Sequence, residues 1–276
     1  MRTPISLLFL LVLLGSTFSI TAQHSNTHNL FWVGLTVSDV INSKLKWEVS
    51  VQRRSQNPAG SKSKFFESLQ YSSYSVSLQY RVNTHVKISV SPFGYYKSWL
   101  LNVVPADEEL APIREYRWWG KFDYETKSRF FNYLNRYSLE FRNRDLERNN
   151  DYQPGWRMRY MTRVERAVGA QLRKPVTLVL YDEIFVRMDR RHAFDQNRLY
   201  GGLYYEVLPH MKTTLGFMYG IQDRNFGEAV DHVRTIFVGL SFDNLCSRIA
   251  KKVKPAKTAT SRAVPAVHHV ITEKRA

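Results

Sequence analysis

Apolar and polar residues alternate along this chain in runs of about ten residues, and this pattern limits the fold more than any other feature. In residues 44–54 hydrophobic side chains alternate with Lys, Glu, Ser and Gln, and the same alternation recurs in residues 74–82, 136–142 and 198–207. Successive side chains of a strand point to opposite faces. Each run therefore predicts a strand with one apolar face and one polar face.

Eleven runs of this kind can be counted, and their lengths indicate where they lie. They are residues 30–37, 44–54, 74–82, 86–91, 115–124, 136–142, 156–165, 176–186, 198–207, 213–221 and 235–242. A strand that crosses a bilayer needs about 9–11 residues, whereas strands of soluble sheets have about five or six. In hydrocarbon every backbone group must be paired, which only closure achieves for a sheet. The sequence predicts an all-β fold, a closed antiparallel transmembrane β-barrel of about 10–12 strands.

The connections between the runs alternate in length. The short ones are residues 38–43, 83–84 and 208–210, and the long polar ones are residues 55–64, 101–111, 143–154, 188–196 and 223–232. Short periplasmic turns with longer outer loops are typical of bacterial outer-membrane barrels. A count of eleven conflicts with this arrangement, because a barrel with both chain ends in the periplasm needs an even number. We expect either two strands merged near residues 110–135 or one weak run that is not a strand.

The N-terminal segment predicts export. Residues 1–22 contain a basic start at Arg2, an apolar run from Ile5 to Leu14, and small residues up to Ala22, as in a secretory signal peptide. A spanning helix needs about 20 apolar residues, so a retained membrane anchor is the weaker interpretation. We expect a cleaved signal peptide and a location in the outer membrane of a Gram-negative bacterium.

The rest of the chain divides into three parts. We expect a short leader over residues 23–28, the barrel over residues 29–243, and a basic, disordered tail over residues 244–276. The tail contains eight basic residues and one acidic residue, Glu273, so its net charge is +7. It is either a solvated extension or a polycation that contacts anionic phospholipid head groups or cell-wall polymer.

The overall charge and the cysteine content exclude several classes of protein. Forty Lys and Arg against 24 Asp and Glu give a net charge of +16, which favours nucleic-acid binding until export is considered. An exported chain seldom meets nucleic acid, so we expect none as a partner. One cysteine excludes a disulfide framework and any site with several thiolate ligands.

The polar faces of the runs predict a charged interior. We expect an interior network of eleven residues: Arg136, Glu140, Arg142, Arg157, Arg159, Arg163, Glu165, Glu183, Asn197, Arg198 and Glu206. Such a network either holds the barrel together through Arg–carboxylate pairs or forms an anion-attracting lumen or binding pocket. A barrel of this size is only slightly wider than one whose interior is filled by side chains, so any solute must be small. Asp182 falls on the apolar face, and we expect a bulge there or a position near a rim.

Four segments together resemble one protein family. They are Asn135–Arg142 (NRYSLEFR), Trp156–Tyr160 (WRMRY), Tyr181–Phe185 (YDEIF) and Phe194–Tyr205 (FDQNRLYGGLYY). The chain from about Phe31 to Phe242 resembles domain of unknown function 2490, a family of bacterial barrels. The resemblance implies an outer-membrane barrel without an assigned activity. It also implies that the recurring polar positions of the family are occupied here by Arg136, Glu140, Arg142, Arg159, Glu183, Asn197 and Arg198.

Three functions remain open at the level of sequence. The first is a non-enzymatic, narrow, anion-preferring conduit or small-ligand binder with an Arg/Glu-lined interior. The second is a lipid-modifying enzyme at the outer rim that uses His192 or His232, and the third is a soluble periplasmic binding barrel. No motif of a catalytic elbow, metal site or phosphate loop occurs, so we expect no catalytic residue, metal or cofactor.

The expected partners follow from the predicted location. They are outer-membrane lipid and lipopolysaccharide, the barrel assembly machinery, and a small anionic solute. The assembly machinery is included because Thr235–Phe242 resembles the terminal-strand signal that it reads.

Overall fold

The computed structural model describes residues 24–61, 63–169, 176–188, 193–224 and 229–245. Eleven strands follow one another: β1 His24–Val40, β2 Leu45–Gln56, β3 Ser68–Arg81, β4 Val86–Ser98, β5 Ile113–Lys127, β6 Asn132–Arg144, β7 Gln153–Val168, β8 Val176–Arg187, β9 Phe194–Leu208, β10 Met211–Arg224 and β11 Ala229–Asp243. A short 3-10 helix, Pro105–Glu109, lies between β4 and β5. The predicted signal peptide, residues 1–22, and nearly all of the predicted tail lie outside the described residues. No helix among the described residues is long and apolar enough to cross a membrane.

The strands form one closed barrel in chain order, which confirms the predicted fold. Every neighbouring pair from β1–β2 to β10–β11 is antiparallel, and β1 closes the barrel by pairing with β11. The closing pair is parallel, with a register that runs from His24↔Ala229 to Ser38↔Asp243. The barrel therefore has eleven strands, and the expectation of a merged or missing strand was wrong. The parallel pair accommodates the odd number, because it lets the first and last strands run in the same direction.

The two rims differ in part as the sequence predicted: three connections of one rim are long, but the strands extend into the expected long loops at 188–196 and 223–232 and leave only residues 188–193 and 225–228 between them. Residues 41–44, 82–85, 128–131, 169–175 and 209–210 connect strands at one rim, here called the turn rim. Residues 57–67, 99–112, 145–152, 188–193 and 225–228 connect strands at the other, here called the loop rim. Because β1 and β11 are parallel, β1 begins at the loop rim and β11 ends at the turn rim. β1 begins at His24, so this strand includes most of the segment that we expected to form a short leader, residues 23–28.

The outer surface of the barrel is apolar, as the alternation predicted. On β3, Tyr74, Val76 and Leu78 are exposed, while Ser73 and Ser77, which lie on the opposite face of the same strand, are buried in the interior. Aromatic rings form rows across neighbouring strands on this outer face: Trp118, Phe141 and Trp156 lie on β5, β6 and β7 with centroids 5.7 and 5.0 Å apart. The barrel is thus covered by hydrophobic side chains and polar inside.

One part of the interior is apolar. Val179, Tyr200 and Met218 are buried together on β8, β9 and β10. The Tyr200 ring lies against Gly202 and Gly216, where an added Cβ would come within 2.2 and 2.3 Å of the Tyr200 hydroxyl. Glycine at these two positions lets the ring lie flat against the wall and leaves room in the centre of the barrel.

The long β4–β5 connection closes part of the loop rim. Leu101 is buried against Leu30 and Val233 of the closing strand pair. Gln56 Nε2 donates hydrogen bonds to Leu100 O at 2.8 Å and to Asn102 Oδ1 at 3.1 Å. These contacts hold residues 100–102 over the mouth above β1, β2 and β11, and we call them the cap segment.

Candidate functional site in the barrel lumen

Two walls with different side chains enclose the lumen. The serine wall, on β2–β4, presents a patch of short inward side chains, Ser50, Ser73, Ser75, Ser77, Ser89 and Ser91, beside longer ones such as Glu48, Gln52, Arg54, Tyr71 and Tyr96. The charged wall, on β5–β9, presents long ones: Glu115, Arg117, Lys121, Glu140, Arg142, Arg157, Arg159, Glu183, Arg187, Asp195 and Arg198. The difference arises because every second residue of each strand faces inward, so the type of residue at these positions decides the lining.

Glu140 of β6 is the centre of the charged wall. Its carboxylate is almost fully buried and accepts hydrogen bonds from Arg157 Nε and Nη2 at 2.8 and 2.6 Å and from Arg159 Nη1 at 2.7 Å. Arg117 Nη1 lies 3.8 Å from the same carboxylate. A buried charge requires compensation by partners of opposite sign, and here three guanidinium groups share one carboxylate.

Glu115 extends the contacts toward the loop rim. It accepts hydrogen bonds from Arg142 Nε and Nη2 at 2.9 and 2.6 Å and from Arg117 Nε at 2.6 Å. The two parallel bonds from Arg142 form a bidentate pair, the strongest arrangement for these two groups. Arg117 thereby connects Glu115 to Glu140.

Asp195 and Glu183 complete the connected set on β8 and β9. Arg157 Nη1 donates to Asp195 Oδ2 at 2.9 Å, and Arg159 Nε donates to Glu183 Oε1 at 3.0 Å. Arg187 Nε lies 3.7 Å from Asp195 Oδ1, and Arg187 also pairs with Asp223. We call the connected residues the ion-pair network: Glu115, Arg117, Glu140, Arg142, Arg157, Arg159, Glu183, Arg187, Asp195 and Asp223. Its five basic and five acidic members balance.

The ion-pair network contains five of the eleven residues expected from the sequence: Glu140, Arg142, Arg157, Arg159 and Glu183. The remaining inward residues lie apart from it. Arg136 forms a separate bidentate pair with Asp123, at 2.7 and 2.8 Å. Arg163 pairs with Glu165 at 3.0 Å near the turn rim, where Glu206 also lines the lumen.

Asn197 does not belong to the interior, and its expected place there was wrong. On β9 the buried Gln196 and Tyr200 face inward, whereas the exposed Leu199 shares the outer face with Asn197. Asn197 Nδ2 donates to Asp182 Oδ1 at 2.8 Å, across the outer surface of β8 and β9. Asp182 thus lies in the middle of β8, in regular register and with a hydrogen-bond partner on the next strand. The expected bulge at Asp182, or its position near a rim, was wrong.

A cavity of about 410 Å³ lies between the two walls near the loop rim. Ser50, Ser73 and Ser75 line one side of this loop-side cavity, and most of the ion-pair network lines the other. Among the described residues, nine basic and five acidic side chains line it. The loop-side cavity therefore carries a formal excess of four positive charges.

Three cations in the loop-side cavity make no ion pair with any carboxylate that the structure describes. The Arg54 guanidinium is centred 3.7 Å from the Trp32 ring and 4.4 Å from the Tyr71 ring. Lys121 Nζ is 3.6 Å from the Trp119 ring centroid. Arg198 donates to Gln196 Oε1 at 2.8 Å, and its guanidinium is 4.5 Å from the Phe185 ring.

A second cavity, of about 780 Å³, opens at the turn rim. Five basic and five acidic residues among those described line this turn-side cavity, so it carries no formal excess. Several of them are paired, including Lys46 with Asp243 at 2.9 Å. Glu48 lines both cavities, so the two approach each other beside β2.

The histidines proposed for lipid chemistry do not form a visible site. His232 lies within β11 rather than in a long loop, on the outer face, where its Nδ1 is 2.6 Å from the Tyr219 hydroxyl. His192 lies outside the described residues. Among the described residues, no group of three or more His, Cys, Asp and Glu side chains is arranged to hold a metal ion.

The sequence reasoning missed the inward residues of β5. Glu115, Arg117, Lys121 and Asp123 lie on one face of this strand and supply two members of the ion-pair network and one unpaired cation. The signal was present, because charged residues occupy almost every second position from residue 115 to residue 125. The adjacent Trp118 and Trp119 obscure the alternation, since one faces outward and the other faces inward.

Comparisons with known proteins show a family and give no activity. Residues 29–231 match the sequence model of a family described as "Protein of unknown function (DUF2490)". A comparison with curated proteins found no match. Among solved structures, the chain is similar to a variant of the ferric enterobactin receptor of Pseudomonas aeruginosa, with 11% identity and a TM-score of 0.27. The match covers 66% of this chain and 35% of the receptor, so the chain spans little more than a third of that protein.

Proposed function

We propose that this chain, which belongs to the DUF2490 family of proteins of unknown function, is a non-enzymatic outer-membrane barrel whose narrow lumen conducts small anions. One observation carries the proposal. Among the described residues, the loop-side cavity is lined by nine basic and five acidic side chains, and three of the basic ones make no ion pair. A lumen with a positive excess between low-dielectric walls concentrates anions and repels cations.

The outer surface supports the membrane location. The strands have 12–17 residues, enough to cross a bilayer at a tilt. Large apolar side chains are exposed around the barrel, among them Val90, Leu139, Leu180 and Leu215. Soluble proteins rarely expose a contiguous apolar surface of this kind, and lipid is the partner that would cover it. This surface argues against the soluble periplasmic alternative.

The narrowness of the lumen supports a small solute. The ion-pair network and the apolar cluster around Tyr200 fill much of the interior, and the cap segment covers part of the loop rim. What remains is the loop-side cavity of about 410 Å³ and the turn-side cavity of about 780 Å³. Spaces of this size admit hydrated ions and small organic anions rather than polymers.

The conduit is tested by single-channel recording. Purified barrel in planar bilayers should give small currents, and a KCl gradient should give a reversal potential of the sign expected for chloride permeation. Cation preference would contradict the proposal, because the excess of four charges in the loop-side cavity predicts the opposite sign. Complete electrical silence of correctly folded protein would also exclude a conduit.

The location is tested by fractionation. We expect the protein in the outer-membrane fraction and a change in gel mobility between unheated and boiled samples, as closed barrels resist detergent until heated. Recovery in the soluble fraction without detergent would contradict the membrane location and favour a periplasmic barrel.

A further inference from the structure

We infer that the loop-side cavity contains a binding site for a small oxyanion of the phosphate class, formed by Arg54, Lys121 and Arg198. The inference deepens the proposed function, on which it rests, because it gives the anion-preferring lumen a specific site and a ligand class. Its basis is a contrast within one cavity, in which the ion-pair network is balanced and these three cations are not.

Arg54 is positioned by two aromatic rings and makes no ion pair with a described carboxylate. Its guanidinium lies over the Trp32 ring at 3.7 Å and over the Tyr71 ring at 4.4 Å, which fixes the plane of the group. The Nε atom is buried and makes no hydrogen bond within the part of the chain that the structure describes. A buried donor without a partner is destabilising, and the guanidinium of Arg54 lines the cavity, where an anion supplies the acceptor that the protein lacks.

Arg198 differs from the arginines beside it. The guanidinium groups of Arg157, Arg159 and Arg198 lie 5.0, 4.6 and 4.5 Å from the buried Phe185 ring. Arg157 and Arg159 each pair with two carboxylates, whereas the hydrogen bond described for Arg198 goes to the Gln196 amide oxygen, and its Nε has no hydrogen-bond partner among the described atoms. The shared ring contacts all three groups, but of the three only Arg198 has no described carboxylate within ion-pair distance.

Lys121 supplies the third charge, from β5. Its ammonium group lies 3.6 Å from the Trp119 ring centroid and lines the same cavity. An ammonium group is a compact charge with three N–H donors. The contact with the Trp119 ring covers only one side of this group. Lys121 therefore keeps donors that can reach a ligand oxygen.

The chemistry of the three groups favours an oxyanion over a halide. Guanidinium groups donate two parallel hydrogen bonds to the oxygens of one phosphate or carboxylate, which a spherical chloride ion cannot accept in that way. Three positive charges are also neutralised better by a doubly charged anion than by a singly charged one. Ser73 and Ser75 line the same cavity and add hydroxyl groups that hydrogen-bond to oxygen.

The site is tested by titration of the full-length folded barrel with inorganic phosphate at constant ionic strength. We expect calorimetric binding in the millimolar range or tighter, and a phosphate-dependent block of the chloride current. Arg54→Gln, Lys121→Gln and Arg198→Gln should each weaken phosphate binding about tenfold or more, since a charge-assisted hydrogen bond contributes about 1.5–3 kcal/mol. Gel mobility before and after heating would show that each variant is folded.

Arg163→Gln is the matched control. It removes the same charge from the lumen, but Arg163 lies in the turn-side cavity and is paired with Glu165. Phosphate affinity should change less than about twofold, within the scatter expected of distant sites. If Arg163→Gln weakens binding as much as the three site variants do, the effect is general charge and the site is disproved.

The two proposals fail in different ways. Anion-selective currents without phosphate binding would leave the conduit standing and overturn the oxyanion site. Phosphate binding that the three site variants abolish, in a barrel that carries no current, would support the site and overturn the conduit.

Discussion

The serine wall and the charged wall face each other across one lumen and differ in how many short and how many charged side chains they present. On β3 and β4 the buried inward residues include Ser73, Ser77, Ser89 and Ser91, which are short and leave space. On β6 and β7 the inward residues are Glu140, Arg142, Arg157 and Arg159, which reach into the lumen and pair with one another. The serine wall thus makes the cavity, and the charged wall sets its potential and holds its own strands together.

The outer faces of the two walls differ as well. Outside the serine wall, β3 and β4 present apolar residues such as Val76, Leu78 and Ile88. Outside the charged wall, β6–β9 carry a polar cluster in which Tyr160 OH donates to Asn135 Oδ1 at 3.0 Å and Asn197 donates to Asp182. The strands rich in interior charge are therefore also the ones that interrupt the apolar surface. The comparison predicts that substitutions in the two walls affect different properties.

Glu140→Ala should have the largest effect on stability. It would leave Arg157 and Arg159 without their shared carboxylate and Arg117 with one fewer neighbour of opposite charge. Removing one partner of a buried pair costs about 3–5 kcal/mol, which urea unfolding of the barrel in lipid vesicles would measure. Ser138→Ala is the control, since Ser138 is buried two residues away on β6 and its hydroxyl has no described partner. Equal losses for both variants would mean that the charged wall has no special role in stability.

Asp182→Leu combined with Asn197→Leu should have the opposite and smaller effect. Both residues lie on the outer face of the charged wall, where a carboxylate is costly if the surface contacts lipid. We expect the free energy of unfolding in vesicles to rise by about 1–2 kcal/mol, since an acidic side chain costs less than a basic one at this depth. A loss of stability would indicate that this part of the outer face does not contact hydrocarbon.

Ser75→Phe should change stability least, by less than about 1 kcal/mol, because the new ring would enter the loop-side cavity rather than displace packed atoms. The same ring should reduce the chloride current severalfold by narrowing the lumen. Ser72→Phe, three residues away at an outward position of β3, should leave the current unchanged. A current that survives Ser75→Phe would show that ions do not pass along the serine wall.

The sequence predicted the strands and their faces well, because period two is a local property. All eleven runs became strands, and most of the expected inward charges line the lumen. The error at Asn197 has a physical cause: Asp195, Gln196, Asn197 and Arg198 are all polar, so the pattern contains no contrast that assigns a face. The adjacent Trp118 and Trp119 had the same effect on β5.

Non-local features could not be predicted from the pattern. The partners of Glu140 depend on the register of β6 against β7, in which Glu140 lies opposite Arg157, and alternation alone does not fix a register. The parallel closure of β1 on β11 brings together residues more than 200 positions apart in the chain, for example Ser38 and Asp243. The odd strand number was therefore counted correctly, but the closure that permits it could not be foreseen.

That closure places the two ends of the barrel sequence at opposite rims, whereas in a barrel with an even number of strands both ends lie at the same rim. Anything attached ahead of β1 emerges beside the long loops, and anything attached behind β11 emerges beside the short turns. In a bilayer the two attachments would stand on opposite sides, so peptide tags inserted directly before β1 and directly after β11 would report the orientation of the barrel by their accessibility to antibodies on intact cells.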